Sequence, residues 1–114
     1  MKRANRLRKG AEFDQVYAKG TVLNGPFFVL RCLPNETGTP RWGFAVGKRL
    51  AKHAVDRNRT KRRLRESADA LSLTLSFDVI VTAKQPAMDA SQRELERELA
   101  HRTGKIASAG APRS

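Results

Sequence analysis

Between Gly47 and Arg65 the chain reads Gly-Lys-Arg-Leu-Ala-Lys-His-Ala-Val-Asp-Arg-Asn-Arg-Thr-Lys-Arg-Arg-Leu-Arg, nine basic residues against one acid, Asp56. Like charges at this density repel one another, so a folded domain tolerates them only where solvent or a polyanion neutralises them. From about Val55 onward nothing interrupts a helix until the run Leu71-Ser72-Leu73-Thr74-Leu75-Ser76. At about 3.6 residues per turn, Leu64, Ala68 and Leu71 share one face, while Arg59, Lys61, Arg62, Arg63 and Arg65 spread over most of the remaining circumference. The C-terminal half of this helix anchors it and the N-terminal half projects charge. The block is internal and flanked by apolar segments, unlike a solvated basic tail. Its mixture of Arg, Lys and Asn is the donor set that grips phosphate.

The segments on either side supply a scaffold. Ala11 to Lys19 carries Phe13, Val16 and Tyr17 at i, i+3 and i+4, with Glu12 and Asp14 in the first turn and Gly20 at the end, which predicts a short amphipathic helix. Thr21 to Leu23 and Phe27 to Leu33 are β-branched or aromatic runs divided by Asn24-Gly25-Pro26, and Arg41 to Val46 alternates Trp42, Phe44 and Val46. These read as three neighbouring strands. Phe77 to Ala83 is a continuous apolar run suited to a central strand, ended by Lys84-Gln85-Pro86. Ser91-Gln92-Arg93-Glu94 is a capping-box pattern that starts a closing helix with Leu95 and Leu99 on one face and a Glu98 to Arg102 pair. One sheet with helices packed against it is an α+β sandwich.

A chain of 114 residues with 39% hydrophobic content buries one modest core. The expected organisation is a single domain over residues 1–104. Lys105 to Ser114, poor in large apolar side chains, reads as a loose basic tail. The formal net charge of +12 calls for an acidic partner: RNA, DNA or an anionic membrane. A lone cysteine, Cys32, lies in an apolar run and reads as a small buried thiol. The basic N-terminus has no apolar segment after it, and no stretch approaches the roughly 18 apolar residues of a membrane span, so a cytoplasmic protein is expected.

The Arg57-Asn58-Arg59 triplet is followed by Lys61-Arg62-Arg63-Leu64-Arg65-Glu66 and preceded by Gly43-Phe44-Ala45-Val46-Gly47-Lys48-Arg49. With Phe13-x-x-Val16-Tyr17 ahead and Asp78-Val79-Ile80-Val81 behind, this pattern resembles the bacterial ribonuclease P protein component over about Arg6 to Leu99. The resemblance implies an α-β-β-β-α-β-α order like that of the second domain of a ribosomal small-subunit protein, with a left-handed crossover, a rare handedness. It implies two RNA surfaces. Arg57, Asn58, Arg59, Lys61, Arg62 and Arg65 would contact the catalytic RNA subunit. A cleft with Phe13, Tyr17, Arg31, Lys48 and Arg49 would hold the single-stranded 5′ leader of precursor tRNA, with bases laid on rings above a positive floor. The protein would bind no cofactor or metal itself and no DNA, Mg²⁺ being held by the RNA. Three positions depart from the family's pattern: Gly47 where Ser is common, Lys84 where Arg is common, and Arg31 where a strand aromatic can occur.

Other readings remain open on the residues. Phe13 serves equally as core, Tyr17 is better suited to a wet edge, and Trp42 suits core or edge packing. A structural ribosomal-type protein or RNA chaperone of the same fold would share the basic helix but needs no leader cleft. A self-sufficient nuclease would have to use His53 and His101 as acid and base, yet no carboxylate or Cys/His cluster accompanies them.

Overall fold

The computed structural model describes residues 5–8, 10–71 and 76–109. The elements follow the order α1 (Ala11–Lys19), β1 (Thr21–Asn24), β2 (Phe28–Pro34), β3 (Arg41–Ala45), α2 (Ala54–Asp69), β4 (Phe77–Ala83), α3 (Gln85–Asp89) and α4 (Gln92–Ala109). The four strands form one sheet in the order β1-β2-β4-β3. Of the three strands expected to be neighbours, β1 and β2 adjoin but β3 does not: β4 inserts between β2 and β3, antiparallel to the first and parallel to the second. Every residue of β4 except Thr82 is buried, which is why its sequence is continuously apolar apart from Asp78. Most of the Leu71 to Ser76 run expected to end the basic helix, residues 72–75, lies outside the described residues.

Registered partners share a sheet face. On one face Phe28, Leu30, Cys32, Trp42, Val79, Val81 and Ala83 form the main core with Leu64 and Ala68 of α2 and Leu95, Leu99 and Ile106 of α4. Burial pushes the Cys32 thiol up to about 12, so it stays protonated and inert as packing. The second face is covered, among the described residues, by α1 and Leu7 ahead of it, through a small cluster of Leu7, Val16 and Ile80 with Phe13 and Leu33 at its margin. That asymmetry leaves sheet surface open for a ligand.

Two boundaries differ from expectation. A short helix, α3, follows the β4 terminator because Pro86 occupies its first turn, where a missing N–H costs nothing. The C-terminal helix continues through Ala109 rather than giving way to a loose segment at Lys105. Gly104 resembles a stop but faces open space, while Leu95, Leu99, Thr103 and Ile106 form one buried stripe that carries the helix past it. Only residues 110–114 of the expected tail lie outside the described residues. The capping box forms as read: Ser91 N–H donates to Glu94 Oε1 at 3.0 Å and Glu94 N–H to Ser91 Oγ at 3.1 Å. The Ser91 backbone N–H holds the Glu94 carboxyl below its ordinary range. The Glu98 to Arg102 pair closes at 2.6 Å.

Candidate nucleic-acid interface

The placement of α2 follows from a buried stripe of Thr60, Leu64, Ser67 and Ala68. Thr60 extends the apolar stripe toward the N-terminus because its hydroxyl donates to the Asp56 carbonyl at 3.0 Å. With that face fixed, Asn58, Arg59 and Arg62 are exposed and Lys61 and Arg65 half-buried. These five and the exposed Val55 line a shallow hollow of about 490 Å³. Among the described residues no carboxylate pairs with Arg59 or Arg62. Arg63 differs from its neighbours. It turns toward α3, donating to the Ala87 carbonyl at 3.4 Å and to the Ala90 carbonyl, and so serves packing.

Arg57 also differs. Its Nη1 donates to the Ala51 carbonyl at 2.9 Å and the Lys52 carbonyl at 2.8 Å, so part of its guanidinium is committed within the protein.

On the α1 face, Phe13 lies across Gly43 of β3: a Cβ on Gly43 would stand 2.4 Å from Phe13 Cζ, so only glycine leaves room for the ring there. One turn on, Tyr17 is 49% exposed, its ring centroid 6.5 Å from that of Phe13. The Arg31 guanidinium sits 5.2 Å from the Tyr17 centroid and reaches Thr82 Oγ1 at 3.4 Å. Phe13 thus divides its surface between core and groove, while Tyr17 and Arg31 form an open cation–π platform. Lys48 and Arg49 are exposed on the turn after β3. The parallel register Ala45↔Thr82 brings β3 to its end beside Thr82, the residue toward which Arg31 points.

Phe13, expected in one surface, and Asn58, Lys61 and Arg65, expected in the other, meet at the edge of β3. A second hollow, of about 290 Å³, is lined by Phe13 and Gly43 from the α1 side, by Asn58, Lys61 and Arg65 from α2, and by Arg6, Leu7, Trp42 and Phe44. Arg6 and Phe44 are additions to the sequence reading. Arg6 bridges to Trp42, and Leu7 N–H donates to the Trp42 carbonyl at 2.9 Å, a pairing of chain start with edge strand that local pattern does not encode. Trp42 is buried in the main core and stacks on Phe44 at 6.2 Å. Lys84 has a structural use: its Nζ donates to Gly25 O at 2.6 Å and to Asn24 Oδ1, clasping the β1–β2 turn. Gly47 is exposed, its carbonyl accepting from Leu50 and Ala51.

The family model described as "Ribonuclease P" matches residues 1–107. The chain belongs to the ribonuclease P protein family. The ribonuclease P protein component of Dehalococcoides mccartyi strain CBDB1 is 41% identical over 92% of this chain and 87% of its own length. That of Staphylococcus aureus strain Mu3 is 39% identical over 89% of each. A solved structure of the S. aureus ribonuclease P protein superposes with a TM-score of 0.77 at 37% identity, covering 92% of this chain and 96% of its own. The Thermotoga maritima protein, at 22% identity, shares the fold with a TM-score of 0.81 over 89% of this chain and 96% of that one. The chain is thus a protein subunit of the tRNA-processing ribonucleoprotein endonuclease and associates with ribonuclease P RNA, which decides against the ribosomal-type alternative. His53 is the residue before α2 and His101 is exposed on α4. Among the described residues no three His, Cys, Asp or Glu side chains are grouped to hold a metal ion, and no helix is long and apolar enough to cross a membrane.

Proposed function

We propose that the exposed face of α2, through Asn58, Arg59, Lys61, Arg62 and Arg65, grips phosphates of the catalytic RNA. The groove of Phe13, Tyr17 and Arg31, flanked by Lys48 and Arg49, takes the single-stranded leader of precursor tRNA. The observation that carries this reading is the juxtaposition at the β3 edge. Lys61 and Arg65 of α2 adjoin a hollow bordered by the Phe13 ring, beside a sheet face with only a small cluster of packed side chains. Cations neutralise a backbone of any sequence, and open rings accept unpaired bases, so one face suits folded RNA and the other a single strand. The protein contributes no general acid, base or metal ligand to the cleavage. Mg²⁺ held by the RNA supplies that chemistry, in a cytoplasmic ribonucleoprotein.

Reconstitution with the cognate catalytic RNA tests this directly. Precursor tRNA is expected to be cleaved by the assembled particle at Mg²⁺ concentrations where RNA alone is slow. Rigorously RNA-free protein is expected to be inert. Metal-dependent cleavage by the protein alone would overturn the assignment of the chemistry to RNA.

The α2 contacts have their own signature. Replacing Arg59 and Arg62 by Ala should weaken assembly and flatten its dependence on log salt by about two units, roughly one for each phosphate no longer neutralised. Both side chains are exposed, so the melting temperature should hardly move. Titration of labelled RNA at several salt concentrations reads this out, and an unaltered slope rejects the two residues as contacts.

A further inference from the structure

Arg57 occupies the first turn of α2, where the helix dipole disfavours a cation. The structure gives it a local use instead. Its Nη1 reaches back over the helix start to two carbonyls, Ala51 at 2.9 Å and Lys52 at 2.8 Å. The segment it holds is one tight turn, with Leu50 N–H and Ala51 N–H both donating to the Gly47 carbonyl, at 3.1 and 3.2 Å. Ala51 is buried in the main core and Leu50 packs at its margin. Core packing therefore fixes the turn from inside and Arg57 fixes it from α2. Between these two anchors the turn exposes Lys48, Arg49 and Lys52.

We propose that Arg57 is a positioning residue for precursor binding: it ties the Lys48/Arg49 turn to α2, so that these two cations keep a fixed place beside the leader groove. The inference rests on the functional reading above, and it moves Arg57 from the catalytic-RNA contacts to the support of the other surface. A turn tethered to the helix that docks on the catalytic RNA also gives the two RNA-binding surfaces a rigid mutual geometry. Without the tether, Lys48 and Arg49 would sample many orientations and lose most of their contribution to binding.

The test uses Arg57→Met, which keeps the aliphatic stem and removes the donors, together with Lys48→Ala/Arg49→Ala and the triple substitution. In free protein, hydrogen exchange at the Leu50 and Ala51 amides should accelerate in Arg57→Met. In the particle assembled on the cognate catalytic RNA, Arg57→Met and the double variant should each lower precursor affinity on the order of tenfold, the lower end for a charged hydrogen bond. The triple variant should bind no more weakly than the double. Additive losses, or a fall in catalytic-RNA affinity with a salt slope reduced by about one unit, would make Arg57 a direct phosphate contact and overturn the proposal. Unchanged exchange at Leu50 and Ala51 would overturn the anchor whatever the RNA does. A wild-type protein that leaves the RNA's affinity for precursor unaltered would instead sink the functional reading, with the exchange result still deciding the anchor.

Discussion

Arg41→Ala should destabilise the protein by about 3 kcal/mol, the cost of stripping a buried carboxylate of its ionic partner. Arg41 on β3 makes a two-pronged pair with Asp78 on β4, Nε to Oδ1 and Nη2 to Oδ2, both at 2.7 Å. The Asp78 side chain is only 7% exposed. Its remaining side-chain partner among the described residues is Asn35, whose Nδ2 donates to Oδ1 at 2.8 Å. The pair raises the Arg41 pKa, first through the Asp78 hydrogen bonds, so the guanidinium is charged at any working pH. Arg41 itself is 23% exposed, which places the expected loss toward the lower end for buried pairs.

The network extends to α1. Arg41 Nη1 also donates to Glu12 Oε2 at 3.1 Å, and Glu12 Oε1 accepts from Arg8 N–H at 2.7 Å. One guanidinium thus joins the sheet to α1 and, through Glu12, to the chain start. Arg41→Ala is therefore expected to weaken precursor binding as well, by loosening the helix that carries Phe13 and Tyr17. Urea unfolding measures the first effect. An Arg41→Met/Asp78→Leu protein should regain part of the stability, because an apolar pair leaves no orphaned charge. A single variant within about 0.5 kcal/mol of wild type, the usual range for surface changes, would show that Asp78 finds water instead.

Tyr17→Ala should cost on the order of 1 to 3 kcal/mol in affinity of the assembled particle for precursor tRNA, the usual worth of one base stacked on a ring. Mature tRNA lacks the leader, so its affinity should hardly change. The structure makes Tyr17 a cleaner probe than Phe13. Tyr17 is 49% exposed and its ring faces Arg31, whereas Phe13 packs over Gly43 and borders the Leu7, Val16 and Ile80 cluster. Removing Tyr17 therefore deletes binding surface with little loss of packing, and the thermal melt should coincide with wild type. Removing Phe13 would disturb α1 and mimic a binding defect. Equal losses for precursor and mature tRNA, or none for either, would mean that the leader does not use this ring.

The local elements of this protein were legible in its sequence because their determinants are close in the chain. The spacing of Phe13, Val16 and Tyr17 specifies α1, the Ser91/Glu94 box starts α4, and the continuous apolar run of β4 announces a strand buried on both faces. The charge of α2 points to a polyanion by itself, since a density of like cations has few other physical uses, and the resemblance carried by Arg57-Asn58-Arg59 narrows that polyanion to RNA. Tertiary structure alone decided what depends on distant residues. It placed β4 between β2 and β3, because strand order is set by which apolar faces pack together and not by chain proximity. It carried α4 through Gly104, because burial of Ile106 outweighs one weak helix former. It joined Arg41 to Asp78 across 37 positions and brought Phe13 of α1 and Lys61 of α2 to one hollow at the β3 edge. It also sorted the arginines of α2. Arg59 and Arg62 face solvent, Arg63 satisfies the carbonyls at α3, and Arg57 holds the turn before its own helix. A helical sequence fixes the angle at which each side chain leaves the axis, but the carbonyls that meet it belong to segments whose position only the packed fold supplies.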